Sequence, residues 1–135
     1  MLSICIMLVG VNMKVCINDN VPLDSRNQNA NIKANILSDD MMREIGFTDY
    51  AKDRWYFSRR VGDKDCDISF NVTINKKSKA IEIDVLDELF LQPYDYQMYI
   101  GTIPVANRVY DDVQKWMKYL MDNGVIYGYT LGDYI

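Results

Sequence analysis

The ten residues from Cys66 to Asn75 constrain the fold more than any other stretch of the chain. Cys66, Ile68, Phe70, Val72 and Ile74 take alternate positions, and Asp67, Ser69, Asn71, Thr73 and Asn75 fill the gaps. A strand turns successive side chains to opposite faces, so this alternation describes one buried face and one wet face. A parallel strand covered on both sides would read as a continuous apolar run, so the sheet is predicted to be antiparallel. Short turns supply its neighbours. Arg54–Val61 enters through Gly62-Asp63-Lys64-Asp65, and Lys76-Lys77-Ser78 leads out into Lys79–Leu86, where Ile81, Ile83 and Val85 point inward.

An apolar sheet face needs a second layer to cover it. Pro104 suits the first turn of a long helix that stops at Asn123-Gly124. Within it Val105, Val109, Val113, Trp116, Met117 and Leu120 form one apolar stripe at helical spacing. A shorter helix is predicted after Ser38, with Asp39 and Asp40 at its positive end, Gly46 as its stop, and Met41 and Ile45 sharing a face. Val125–Ile135 is expected to return as a final strand, with Tyr127 and Tyr129 on the same side. The predicted fold class is α+β: an antiparallel meander of three or more strands, with a long helix of the C-terminal half packed on one face.

At 135 residues the chain has room for one such domain, placed at 38–135. Residues 1–37 are expected to hold an apolar strand-like segment (Ser3–Val9 and Met13–Ile17) followed by an Asn-rich linker. Met1–Ile17 lacks a basic start and a small-residue cleavage site, and Gly10, Asn12 and Lys14 interrupt it. It therefore reads neither as a signal peptide nor as a membrane span. Met13 or Met41 offers another start for the functional chain. Cys5, Cys16 and Cys66 form no CxxC pair, which points to free thiols in a reducing, cytoplasmic setting.

Several chemistries are excluded by composition alone. The chain has no histidine, which removes Ser-His-Asp and Cys-His nucleophile systems, HExxH zinc sites and every imidazole acid or base. Its seven glycines match neither GxGxxG nor GxxxxGK[ST], so no phosphate cradle of those classes is expected. No cofactor and no metal site are predicted, and the chain reads as non-enzymatic. One enzyme alternative rests on Glu82 and Asp84, two apart on a strand, which with Asp67 would bind Mg²⁺ in a small nuclease. The lysine that an E-x-K nuclease element needs is replaced by Asp84. Another alternative, a nucleic-acid-binding regulator, uses Trp55, Arg59, Arg60 and Lys64, where aromatics and cations alternate.

Charge divides along the chain. Residues 50–79 carry eight basic and four acidic side chains, while 80–135 carry three basic and nine acidic. Such asymmetry suits two surface patches that steer two kinds of partner. The acidic half also holds the tyrosine-rich run Leu89–Ile100, which reads as neither helix nor strand. Tyrosine gives large amphipathic contact area at low entropic cost, and carboxylates beside it can stand in for phosphates. The predicted partner-binding residues are Glu82, Asp84, Asp87, Glu88, Tyr94, Asp95, Tyr96 and Tyr99. The partner is expected to be a protein, and no membrane is expected.

Gly46-Phe47-Thr48, Trp55-Tyr56-Phe57, Ile68-Ser69-Phe70-Asn71-Val72, Ile83-Asp84-Val85-Leu86-Asp87-Glu88, Phe90-Leu91-Gln92-Pro93-Tyr94-Asp95-Tyr96 and the Gly132-Asp133-Tyr134-Ile135 ending carry a resemblance. Over residues 41–135 the chain resembles small uncharacterised proteins of prophages and mobile elements in low-GC Gram-positive bacteria. The abundance of Ile, Asn, Tyr and Lys, all with A/T-rich codons, agrees with such a source. The resemblance implies a mobile-element origin and no particular chemistry. Small acidic proteins of that kind are often similar to anti-defence factors, anti-CRISPR proteins among them. By that class analogy the chain is expected to bind and inhibit or modulate a host defence protein through an acidic, nucleic-acid-like surface.

Overall fold

The computed structural model describes residues 31–135. The strand-like runs expected at Ser3–Val9 and Met13–Ile17, and the linker up to residue 30, lie outside the described residues. The described elements follow in chain order as β1 (Lys33–Ala34), α1 (Asp39–Ile45), β2 (Arg54–Arg60), β3 (Ile68–Asn75) and β4 (Ile81–Asp87). After these come β5 (Gln92–Pro93), a 3₁₀ turn (Tyr96–Met98), α2 (Pro104–Asp122) and β6 (Ile126–Tyr127). The fold class is α+β. A four-stranded antiparallel meander runs in the order β2-β3-β4-β5, and the short β1 and β6 pair separately.

The alternation in β3 sets the layers. Ile68, Phe70, Val72 and Ile74 are buried with Trp55 and Phe57 from β2 and Ile83 and Val85 from β4. Register makes this one face: Phe57 and Ile83 both oppose Val72, and Val85 opposes Phe70. Helix α2 supplies the cover with Ala106, Val109, Val113, Met117 and Leu120. Each of the Val, Met and Leu side chains among them stabilises the fold by roughly 1.5–3 kcal/mol relative to exposure. Pro104 occupies the first turn as expected, while Val105 and Trp116 sit at the half-buried margin of the stripe. Phe57 lies at the centre of an aromatic cluster with Phe47, Phe70, Trp116 and Tyr119.

Four details differ from the sequence reading. The buried pair of α1 is Met42 and Ile45, and Met41 is half exposed. Ser38 caps the helix by accepting from the Met41 N–H, and this sets the rotation that turns Met42 inward. The packed body reaches back past Ser38, because Ile32 is buried and Lys33–Ala34 pair with Ile126–Tyr127. Of Val125–Ile135 only Ile126–Tyr127 form a strand, on β1 and not on the main sheet. Tyr127 and Tyr129 also part company, the first exposed and the second buried. Gly128 between them has φ 91°, and a Cβ there would meet the Asn31 carbonyl oxygen at 2.2 Å. Among the described residues no helix is long and apolar enough to cross a membrane.

Candidate functional site

The outer face of the meander is hydrogen-bonded across three strands. Asn71 lies at its centre, opposite Ser58 on one side and Asp84 on the other. Its Oδ1 accepts from the Ser58 hydroxyl at 2.7 Å and the Tyr56 hydroxyl at 3.0 Å. Its Nδ2 donates to Asp84 Oδ1 and Ser69 Oγ, both at 3.0 Å, and the Ser69 hydroxyl donates to Glu88 at 2.5 Å. Ser69 and Asn71 are therefore 4% and 5% exposed. The face predicted to be wet is wet only at its margins, because longer side chains on β2 and β4 close over the short polar ones of β3.

The acidic row follows from the two-residue repeat of β4. Glu82, Asp84 and Glu88 are exposed, with Glu82 and Asp84 about 7 Å apart along the strand. Asp87 turns the other way and caps a turn, its Oδ1 accepting from the N–H groups of Leu89 and Phe90 at 3.0 and 3.3 Å. Asp67 does not join Glu82 and Asp84. It lies level with Glu88, about 13 Å along the sheet from Asp84, and pairs with Arg60 at 2.9 Å. Among the described residues no three metal-ligating side chains gather at one point. The carboxylate trio required by the nuclease alternative is not assembled.

Beyond Asp87 the chain makes a four-residue turn that was not legible as one. Residues 88–91 form it, and Gln92 then opposes Asp87. Leu89, Phe90 and Leu91 are 69%, 68% and 76% exposed, three large apolar side chains in succession. Leu91 holds φ 53°, a left-handed conformation that favours glycine and is costly for a bulky residue. The signal available in the sequence was Asp87, placed as Asn75 is placed at the end of β3, with a side chain able to satisfy the next two free N–H groups.

The tyrosines that follow divide by burial. Tyr94 and Tyr99 stack with ring centroids 6.5 Å apart, and Tyr99 remains on the surface. Tyr96 is 1% exposed, packed against Tyr110 and Tyr134, and its hydroxyl accepts from the Ile135 N–H. Burial pushes its phenol far above the ordinary tyrosine range. Tyr96 is a core residue and cannot anchor a partner. Asp95, beside it, is half buried.

The alternative nucleic-acid set is dispersed. Trp55 is 1% exposed, with the Lys76 ammonium 4.4 Å from its ring, so it offers no open stacking platform. Arg59 lies over Phe57 and Trp116 and donates to the Ser58 carbonyl at 2.7 Å. Arg60 projects from the opposite face towards Asp67, and Lys64 is exposed in the β2–β3 turn. Other cations are tied locally. The Lys76 hydrogen bond, supported by Arg43, holds Asp49 below the usual carboxylate range, and Arg108 does the same for Asp63.

No protein-family profile matches the chain, and no curated protein does. The crystal structure of a DUF1831 family protein from Lactobacillus plantarum is similar to it, with a TM-score of 0.59 over 70% of this chain and 82% of that one. The two sequences are 7% identical. At that level the similarity concerns the fold alone.

Proposed function

We propose that the chain is a non-enzymatic binding protein of a phage or mobile element that docks on a host protein and inhibits or modulates it. The observation that carries this reading is the β4–β5 end. Three solvent-exposed apolar side chains, Leu89, Phe90 and Leu91, follow directly on the outward carboxylate of Glu88, and the row continues along β4 with Asp84 about 13 Å and Glu82 about 20 Å away. Contiguous exposed apolar groups with a charged border are characteristic of interaction sites, and the border selects a basic partner. Tyr99, exposed and stacked on the half-buried Tyr94, offers a further aromatic surface after β5. A basic surface that handles nucleic acid fits the acidic row, which is the kind of target expected by class analogy with anti-defence, anti-CRISPR-like proteins.

The test is capture of a host protein from a low-GC bacterial lysate, after nuclease treatment and across a salt series. The expected result is a stoichiometric partner that leaves as salt rises, because exposed charge contacts are screened. Capture should vanish with Leu89→Ser/Phe90→Ser/Leu91→Ser and weaken with Glu82→Gln/Asp84→Asn. Capture that ignores both variants and the salt would refute this docking surface.

A further inference from the structure

The opposite end of β4 opens on a cleft of about 520 Å³ between the β3–β4 turn and the β1–β6 ladder. Ile32, Ala34 and Ile81 give it an apolar lining, and Lys33, Lys79 and Tyr127 complete it. Lys33 and Tyr127 are cross-strand partners, so their side chains leave the ladder on the same side. Among the described residues that line the cleft, none is acidic. In a chain of net charge −4, neither the Lys33 nor the Lys79 ammonium has a carboxylate partner among the described residues.

The backbone adds an independent sign. Lys79 holds φ 64°, where glycine would be cheaper. Its N–H donates to the Asn75 carbonyl at 2.8 Å, and the Ala80 N–H donates to the Ser78 hydroxyl at 3.2 Å, so the turn fixes where the lysine leaves the chain. Keeping a cation at a strained position is a cost that a ligand contact would explain. Tyr127 is 57% exposed, which leaves its ring open for stacking.

We infer that this cleft binds a nucleotide unit, with Lys33 and Lys79 on the phosphate and the Tyr127 ring against the base. Two ammonium groups beside one open aromatic ring are the elements by which single-stranded nucleic acid is held without base-specific contacts. The unit can come from a free mononucleotide or from a single strand. The inference stands on residues separate from the β4–β5 end and does not depend on that end docking a protein.

The experiment is fluorescence anisotropy of the full chain with fluorescein-labelled dT8, with unlabelled dT8 or thymidine monophosphate as competitor. One neutralised phosphate predicts dT8 binding about 2.6-fold weaker at ~200 mM than at ~50 mM salt. Lys33→Ser/Lys79→Ser should lose about tenfold in affinity together with most of that salt dependence, with an unchanged urea midpoint. Tyr127→Ser should lose about tenfold while keeping the salt dependence. Competition by the monophosphate identifies a nucleotide pocket, and competition by dT8 alone identifies a strand track. Binding of neither probe would overturn the inference, as would equal binding by wild type and the double-lysine variant. Loss of binding in Arg60→Ser/Lys64→Ser instead would move the site to the β2–β3 turn and overturn it as well.

Discussion

The two turns at the ends of β4 are built alike and present opposite surfaces. Each sets four residues between opposed partners, 76–79 between Asn75 and Ala80 and 88–91 between Asp87 and Gln92. Each begins after an Asx residue whose Oδ1 accepts from the N–H groups two and three positions on: Asn75 from Lys77 and Ser78, Asp87 from Leu89 and Phe90. Each also places a non-glycine residue in the left-handed region four positions after that Asx, Lys79 in one and Leu91 in the other. The first turn carries Lys76, Lys77 and Lys79, and the second carries Leu89, Phe90 and Leu91. Backbone physics explains the shared device and is silent on the side chains it exposes. The contrast therefore points to what each end touches.

The largest expected effect comes from cutting the frame between the two ends. Asn71→Ala removes four hydrogen bonds in a nearly closed environment and should cost about 3 kcal/mol in urea unfolding. Both ends should then lose hydrogen-exchange protection together. Equal protection before and after would show that the outer face is not a common frame.

The second effect separates the ends by function. Leu89→Ser/Phe90→Ser/Leu91→Ser should weaken partner binding about 100-fold and leave stability within about 0.5 kcal/mol. Lys77→Ser/Lys79→Ser should change partner binding less than about threefold, since rim charges far from the anchors matter little. Reversal of that order would exchange the roles of the two turns.

Alkali should separate them by anchoring. Tyr96 follows β5 closely and, like Tyr129, has a phenol raised by burial. Above the ordinary tyrosine value of about 10 the unfolded chain releases protons that the folded chain retains, so stability falls as pH rises. Below that pH neither tyrosine contributes a slope. Each contributes about 1.4 kcal/mol per pH unit above it, and Tyr96→Phe should remove one such share from the urea midpoints.

Smaller effects test the likeness of the turns. Asn75→Ala and Asp87→Ala should each cost about 1 kcal/mol, and by similar amounts, because each loses the same cap. Lys79→Gly and Leu91→Gly should stabilise the fold by up to about 1 kcal/mol, relief of strain outweighing the added freedom of the unfolded chain. A large difference within either pair would mean that only one turn is built as described.

Much of the architecture was legible because it depends on period. Cys66–Asn75 gave its strand by alternation, and Val109, Val113, Met117 and Leu120 gave theirs as a helical stripe. Less of the candidate site was legible. Glu82, Asp84 and Glu88 were placed on an exposed surface, but Tyr96 was grouped with Tyr94 and Tyr99 although it is core. Outside regular structure there is no period to assign a face, so the burial of Tyr96 rests on its contacts with Tyr110 and Tyr134, which lie far along the chain. Trp55 misled in a different way. Its alternation with Arg59 was visible, but which face of β2 turns inward is decided by the register with β3.

By itself, the order of residues determined that this chain makes an antiparallel meander under one long helix, and that imidazole and glycine-loop chemistries are closed to it. Local periodicity and missing residue types suffice for both, since neither needs a distant contact. Only the tertiary structure decided that Asp67 stands apart from Glu82 and Asp84, and that Lys33, Lys79 and Tyr127 line one cleft. Those distances are set by strand register and by the pairing of β1 with β6 across more than ninety residues of chain, which no local pattern encodes.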